Sequence, residues 1–323
     1  MNMLSIHSMQ EYLKKSIPSL NQNKLNGLLA EIEFRNYLSE IGLHDRVSVG
    51  GWIARTKGVD IFGNNTIVMF PEIIRPETDY GPNRNLPEPA RGLHTICSTF
   101  HQIGIRSLFC APIIVINENA ESVIWKSVQL GVPTQHEYED FPDNLIGFEK
   151  RKSKYNFLQY GNKNVENKKV IKDIPELALA DEFTKENIKV CFQNILMAEI
   201  SDIDGILWGE QYTYPLEIKE KTAASDRDMG EYFGLDVGPF VKLAYYASKK
   251  GNLHSLFIVR EIDNTADRNL LNWWFITFDK LAAYASWNSR GGGKSMMGGA
   301  STVVRIPKNQ FTEMNADSLI NLK

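Results

Sequence analysis

Three things are scarce in this sequence, and each scarcity removes a class of protein. Cysteine is the first: Cys97, Cys110 and Cys191 are the only three in 323 residues. They show no CxxC spacing, so neither a zinc ligand set nor a disulfide framework is available, and buried free thiols are the reading left. Long apolar runs are the second. No stretch reaches the ~20 residues that cross a bilayer, and the opening MNMLSIHSMQEYLKKSIPSL lacks the apolar segment of a signal peptide. The expectation is a soluble, cytoplasmic protein with no membrane partner. The third is an excess of one charge. Lys and Arg number 36 against 39 Asp and Glu, a net charge of -3, so the chain lacks the overall basic field that gives non-specific phosphate affinity. A protein that gathers its basic residues on one face around an acidic centre remains allowed. The six histidines show no metal-ligand spacing, and no internal repeat or low-complexity tract appears.

What is present is enough to bury a large core or two ordinary ones, since 43% of the residues are apolar. NKLNGLLAEIEFRNYLSEIG carries apolar residues mostly at helical spacing up to Gly42 and reads as an amphipathic helix. Strand-like runs follow at Val47 to Ile53, Thr66 to Ile74 and Leu108 to Ile116, with the Pro-rich ETDYGPNRNLPEPARG as a loop. Residues 151–173 are polar and basic and read as a linker or insertion. They separate an N-terminal helical and β region, 1–150, from a C-terminal domain, 174–323. In that domain Glu182 to Ile200 reads as helix, Ile203 to Trp208 and Tyr212 to Ile218 as strands, Gly238 to Lys249 as helix and Leu253 to Val259 as a buried strand. The order is αββαβ, and the fold class is α/β with a mixed sheet. Trp273 to Phe278 and Ser301 to Ile306 add further strands.

The segment SDIDGILWGEQYTYPLEIKEKT carries the chemistry. A strand bearing Asp204 turns near Gly209 and returns bearing Glu217 and Lys219. Period-two geometry puts Glu217 and Lys219 on one face and Ile218 on the other. If the hairpin closes at Gly209 and Glu210, Asp204 lies beside Glu217, and two carboxylates and one ammonium converge. That set suits a hard cation such as Mg²⁺. An acid-x-Lys triplet alone is common in surface hairpins, but here the flanks DGIL and YPLEI look buried, and charges in buried strands are paired or bind metal. Pro215 fits near the start of such a strand. A second pair, Asp60 and Glu72 in GVDIFGNNTIVMFPEII, has Ile74 where the lysine would stand, so a structural or DNA-facing role is the better reading.

Asp204-Gly205, Glu217-Ile218-Lys219 thirteen positions on, and the bracketing helices together resemble the PD-(D/E)xK nucleases, most closely type II restriction endonucleases. The resemblance covers about Glu182 to Asp263. It implies a restriction-endonuclease-like αββαβ core with a large N-terminal region or insertion. It also implies Asp204, Glu217 and Lys219 as the catalytic set, and Mg²⁺ held by Asp204 and Glu217, with the backbone carbonyl of Ile218 as a further ligand. In GLLAEIEFRNYLSEIG, Glu31 resembles the glutamate that reaches the metal in resolvase-like members. About 170 residues separate it from Asp204, so either a large recognition insertion intervenes or the helix at Glu182 to Ile200 takes that place and Glu31 is exposed.

The function implied is sequence-specific hydrolysis of double-stranded DNA that leaves 5′-phosphates. A homodimer would cut both strands, and a cognate methyltransferase would be its functional partner. A repair or mobile-element nuclease, or a DNA-binding protein without catalysis, is the alternative. Two stretches have a local basic excess. Residues 149–173 hold eight Lys or Arg against three acids, including Lys150, Arg151, Lys152 and Lys154, and residues 286–310 hold four against none. The glycine-rich SRGGGKSMMGGAS fails the spacing of a phosphate-binding P-loop, because Asn288 stands where its first glycine belongs. As a loop it suits close approach to a sugar-phosphate chain, with Arg290, Lys294 and Ser295 as DNA contacts.

Overall fold

The computed structural model describes residues 2–16, 22–56, 66–89, 91–102, 104–117, 120–132, 137–153, 171–172, 174–247, 253–294 and 300–322. Its helices are α1 (Ile6–Ser16), α2 (Gln22–Glu40), α3 (Arg91–Gln102), α4 (Glu176–Ile195), α5 (Val237–Ala247), α6 (Phe278–Tyr284) and α7 (Ala316–Ile320). The strands of the first half are β1 (Val47–Arg55), β2 (Thr66–Pro71), β3 (Arg106–Asn117), β4 (Ala120–Leu130), β5 (Glu139–Asp140), β6 (Glu149–Lys150) and β7 (Leu196–Met197). Those of the second half are β8 (Glu199–Trp208), β9 (Thr213–Lys221), β10 (Ala224–Asp226), β11 (Gly230–Asp236), β12 (Leu256–Ile262), β13 (Leu270–Thr277), β14 (Ser286–Lys294), β15 (Ala300–Pro307) and β16 (Thr312–Glu313). The class is mixed α/β. None of the described helices is long and apolar enough to cross a membrane. All three cysteines are free, Cys97 and Cys110 buried and Cys191 half-buried.

The chain forms two compact units: Met1–Leu25 with Gly51–Asp202, and Asn26–Gly50 with Ile203–Lys323. In the first, the strand order is β1-β2-β3-β4-β5. β1 and β2 are antiparallel, β2 and β3 parallel, β3 and β4 antiparallel. A parallel neighbour needs a crossover, which α3 supplies. β2 reads TIVMFP and is buried from Thr66 to Phe70, as a strand covered on both faces must be. Helix α4 is tied to this unit by backbone and side chain alike. The Trp52 indole donates to the Lys185 carbonyl at 2.8 Å, and the Ile74 amide donates to the Thr184 hydroxyl at 2.9 Å.

In the second unit the order is β8-β9-β12-β13-β16. β8 and β9 are antiparallel, β9 and β12 parallel through the α5 crossover, β12 and β13 antiparallel. Tyr214, Leu216 and Ile218 of β9 pack with Leu256 and Ile258 of β12 and with Ala30, Phe34 and Leu38 of α2. On the other face Phe257 and Val259 pack with Phe240 and Leu243 of α5 and with Phe233 and Ile306 of a smaller sheet, β10-β11-β15-β14. Glu217 and Lys219 alternate with Leu216 and Ile218, so period two assigns them to the face opposite α2.

Two sequence expectations need correction. The helix expected at Glu182 to Ile200 runs from Glu176 to Ile195, because Leu196 is already extended and begins strand pairing. The glycine-rich segment is not simply a loop: Ser286–Lys294 pairs with β15 as β14, with register shifts around its glycines. Each compact unit is built from two separate stretches of the chain. Each half of the chain runs helix, two antiparallel strands, helix, a strand parallel to the second and one antiparallel to that. Yet α2, from the first half, belongs mostly to the second unit, and α4, from the second half, belongs to the first. Residues 154–170, most of the expected linker, lie outside the described residues.

A buried ion network fixes α2 on its sheet. Arg260 of β12 is 6% exposed. It pairs with Glu33 of α2 and, at 3.0 Å, with Glu220 of β9, which also binds Arg268 at 2.6 Å. Removing one member of a buried pair leaves the other charge unmet. Arg260→Met should therefore lower the unfolding free energy by about 3 kcal/mol, the low end for such a pair because Arg268 still meets Glu220. Urea titration measures it, and a loss below ~0.5 kcal/mol, the size of a surface substitution, would make the network incidental.

Candidate metal centre

The centre begins where a strand ladder stops. Paired residues of β8 and β9 run from Trp208↔Thr213 to Gly205↔Leu216, and one further step would set Asp204 opposite Glu217. Instead the side chain of Asp204 takes over from the backbone: its Oδ2 accepts the Ile218 amide at 2.7 Å. A buried amide must find an acceptor, and here a carboxylate fills that need. Pro215, which has no amide to offer, lies just before the parallel ladder of β9 with β12 begins at Leu216↔Leu256.

Around Asp204 the structure gathers acids. Glu31, Asp202 and Asp204 each present a carboxylate oxygen, all within 4.8 Å of one another. Asp202 precedes Asp204 by two residues on β8, so the pleat itself sends both side chains the same way. Glu31 arrives from α2 and is buried. Of the two placements left open for this helix, the structure takes the one that brings Glu31 to Asp204, and α4 belongs to the other unit. Three carboxylates so close repel one another strongly once removed from water. A cation relieves that repulsion, and an all-oxygen donor set suits Mg²⁺, Ca²⁺ or Mn²⁺ over softer metals. The donor set is thus of a kind that could hold a hard divalent ion.

Glu217 is 2% exposed, and both of its oxygens meet ammonium groups. Its Oε1 lies 2.6 Å from the ammonium of Lys219, and its Oε2 meets the ammonium of Lys242 on α5. It is not one of the three clustered acids. Lys219 also lies 3.9 Å from Asp204 Oδ2, so this ammonium joins the two expected carboxylates. Burial pushes the Glu217 carboxyl up, but Lys219 and Lys242 outweigh it and hold the group below the usual carboxylate range. Burial pulls Lys219 down, yet Glu217 and Asp204 overcome this and raise it above its ordinary value. Lys219 therefore stays an ammonium in this setting and acts as a donor and positive charge. Next on the same face, Lys221 is lowered by burial, with Asp236 opposing the shift.

The sequence reading missed Asp202 and Lys242. Asp202 had a signal in the D-x-D spacing of SDIDG, which puts two acids on one face of a strand. Lys242 had one too, as the single charge in the helix VGPFVKLAYYA. The remaining candidates lie apart from the centre or cannot be described. Ile218 contributes its amide to the centre, through Asp204. Lys150 and Lys152 are exposed. Arg151 instead finishes α4: its amide donates to the Ile195 carbonyl at 2.8 Å and its Nε to the Gln193 carbonyl at 2.6 Å. Arg290 and Lys294 are on β14, while Ser295, Lys154 and Asp60 fall outside the described residues. Glu72 is held by Arg84 in a two-pronged pair.

Gly50 of β1 fixes how close the Asp204 strand comes to its neighbour. A Cβ there would sit 1.6 Å from the Ile203 carbonyl oxygen and 3.0 Å from the Asp204 carbonyl carbon. Both are backbone atoms and cannot rotate aside. Gly50→Ala should therefore shift β8, lowering stability by about 1–3 kcal/mol, as overpacking does, and weakening divalent-cation binding. Unfolding titration and calorimetry with Mn²⁺ read the two effects. A variant with wild-type stability and affinity would mean that β8 accommodates the methyl without moving Asp204.

No family model, no curated protein and no solved structure matches this chain.

Proposed function

We propose that this chain is a Mg²⁺-dependent endodeoxyribonuclease of the PD-(D/E)xK type, acting as a cytoplasmic restriction enzyme on double-stranded DNA. The observation that carries the reading is the meeting of Asp204 with Glu217 and Lys219 across β8 and β9, joined by Glu31 from α2. The order α2-β8-β9-α5-β12, with β12 parallel to β9, supports the same reading. Charges concentrated at the end of a buried hairpin are what metal-assisted phosphate hydrolysis requires, whereas a structural hairpin has no use for them.

In this reading Glu31, Asp202 and Asp204 hold the ion. When bound, Mg²⁺ neutralises the scissile phosphate and stabilises the leaving 3′ oxygen. Lys219 donates a hydrogen bond to the attacking water and orients it in line with the phosphorus, leaving a 5′-phosphate on the product. Glu217 keeps that ammonium aimed. The stretch ahead of β8, residues 51–195, exceeds what catalysis needs and suits base recognition. One such centre cuts one strand, so a homodimer is expected on a symmetric site, with a methyltransferase protecting the host's own copies of that site.

Incubation with phage DNA and Mg²⁺ tests the assignment. Discrete bands support restriction. Cleavage of branched DNA alone would indicate a repair or mobile-element nuclease, binding in Ca²⁺ without cleavage in Mg²⁺ a DNA-binding protein, and neither binding nor cleavage would overturn the nuclease reading. Asp204→Asn and Lys219→Ala should each lower cleavage by at least ~10²-fold, comparable to losing one electrostatic stabiliser, while DNA binding in Ca²⁺ survives. Full cleavage by Lys219→Ala would remove the lysine from the mechanism.

The basic excess of residues 286–310 supplies the proposed DNA grip. Lys294→Ala should weaken binding to every sequence and flatten the log-log salt dependence by about one unit. Arg290→Ala, if the residue reads a guanine, should cost about 1–3 kcal/mol and relax specificity at one position. Unchanged affinity and slope in both variants would move the DNA face elsewhere.

A further inference from the structure

The first unit is built on the plan of the second. Hairpin β1-β2, crossover α3, parallel β3 and antiparallel β4 repeat the order of hairpin β8-β9, crossover α5, β12 and β13. Some acids of the two plans match as well. Leu179-Ala180-Asp181 on α4 echoes Leu29-Ala30-Glu31 on α2, and Glu72-Ile73-Ile74 beyond β2 echoes Glu217-Ile218-Lys219 on β9. Past the last ladder pair of each hairpin, however, β8 has Asp204 where β1 has Gly51. The first unit thus lacks both that aspartate and the lysine, and arginines meet its matching acids. Arg75 Nη1 lies 3.2 Å from Asp181 Oδ1, and Arg84 grips Glu72 with two prongs. Among the described residues neither acid belongs to a cluster that could hold an ion.

Arg75 is held in a way that leaves one edge of its guanidinium unused. Its amide donates to the Tyr80 hydroxyl at 2.8 Å, and the amide of Ile74 before it donates to Thr184 at 2.9 Å, which pins the backbone. Nη1 donates to Asp181 and, at 3.3 Å, to the Leu177 carbonyl. Nε and Nη2 make no hydrogen bond to a described residue, and the side chain is 42% exposed. Those two nitrogens are donors that can grip a phosphate with two parallel bonds. Their place suits a ligand, because Arg75 follows the carboxyl end of β2, a strand parallel to β3, and such ends are where open sheets bind ligands. With one nitrogen and the backbone already fixed, less side-chain freedom is lost on binding. We propose that Arg75 binds a backbone phosphate of duplex DNA, giving the first unit a grip that needs no metal and performs no chemistry. The proposal rests on reading the chain as a DNA-acting protein.

Binding of the intact chain to sheared phage DNA in Ca²⁺, titrated at several salt concentrations, tests this. Arg75→Ala should weaken binding about tenfold, the scale of one charge-assisted contact, and flatten the log-log salt dependence by about one unit. The loss should be equal for unrelated sequences and should persist in EDTA, because neither a base nor an ion takes part. Arg75→Lys keeps the charge but not the paired donors, so the slope should hold while part of the affinity is lost; this variant also serves should Arg75→Ala not fold. Asp181→Asn separates binding from support of the fold: it breaks the ion pair but leaves the guanidinium, and the slope should stay as in wild type. Unchanged affinity and slope in a folded Arg75→Ala, a loss confined to one sequence, wild-type affinity in Arg75→Lys, or an equally flattened slope in Asp181→Asn would overturn the proposal. If any of these came from a protein that cuts DNA, the nuclease reading would stand. A protein that grips DNA through Arg75 but never cuts it would uphold the proposal while that reading fell, and one that binds no DNA would overturn both.

Discussion

A single hydrogen bond, from the Ile218 amide to Oδ2 of Asp204, organises the second unit's chemistry. Continued backbone pairing of β8 with β9 would have spent that amide on a carbonyl and deprived Asp204 of this bond. Because the ladder ends at Gly205↔Leu216, the carboxylate is locked in register with β9, and its position relative to Glu217 and Lys219 follows from strand geometry alone. Everything else at the centre is arranged around that point. Gly50 allows close approach to the backbone of Ile203 and Asp204, Asp202 follows by the pleat, and α2 delivers Glu31.

Holding α2 in place demands its own electrostatics. Glu31 and Glu33 lie two residues apart on that helix and serve different ends: Glu31 joins the acids around Asp204, whereas Glu33 is pinned by Arg260. Likewise Lys219 and Glu220 are neighbours on β9 that serve opposite faces, one toward Glu217 and the other toward Arg260 and Arg268. Adjacent charges on a strand can be divided in this way because their side chains alternate. The apolar residues between them, Leu216 and Ile218, anchor the strand that carries both.

How much of this could be read from sequence varied with the range of the interaction. The β8-β9 hairpin, the α5 crossover and β12 were legible because each is written in local apolar periodicity. Period two was enough to place Glu217 and Lys219 together and Ile218 apart. Asp202 was written just as plainly in its spacing from Asp204 but was overshadowed by the acid-x-Lys signature. Lys242 was visible only as an oddity, since no local rule says which carboxylate a lone helical lysine will meet. The boundaries of the compact units were out of reach altogether. The polar run of residues 151–173 marks a change in composition, but which helix covers which sheet depends on contacts between residues far apart in the chain, and no local pattern in α2 or α4 declares its partner.

The exchange of those two helices sets an order in time. During synthesis Glu31 leaves the ribosome about 170 residues before Asp204, an interval on the order of 10–35 s at ~5–20 residues per second. Throughout it Ala30, Phe34 and Leu38 have no β9 or β12 to pack against, because those strands are not yet made. The acidic centre is therefore among the last parts of the molecule to be assembled. A chain that stops short of β12 carries every one of the clustered acids but lacks Leu256 and Ile258, part of the core on which the helix that delivers Glu31 is seated.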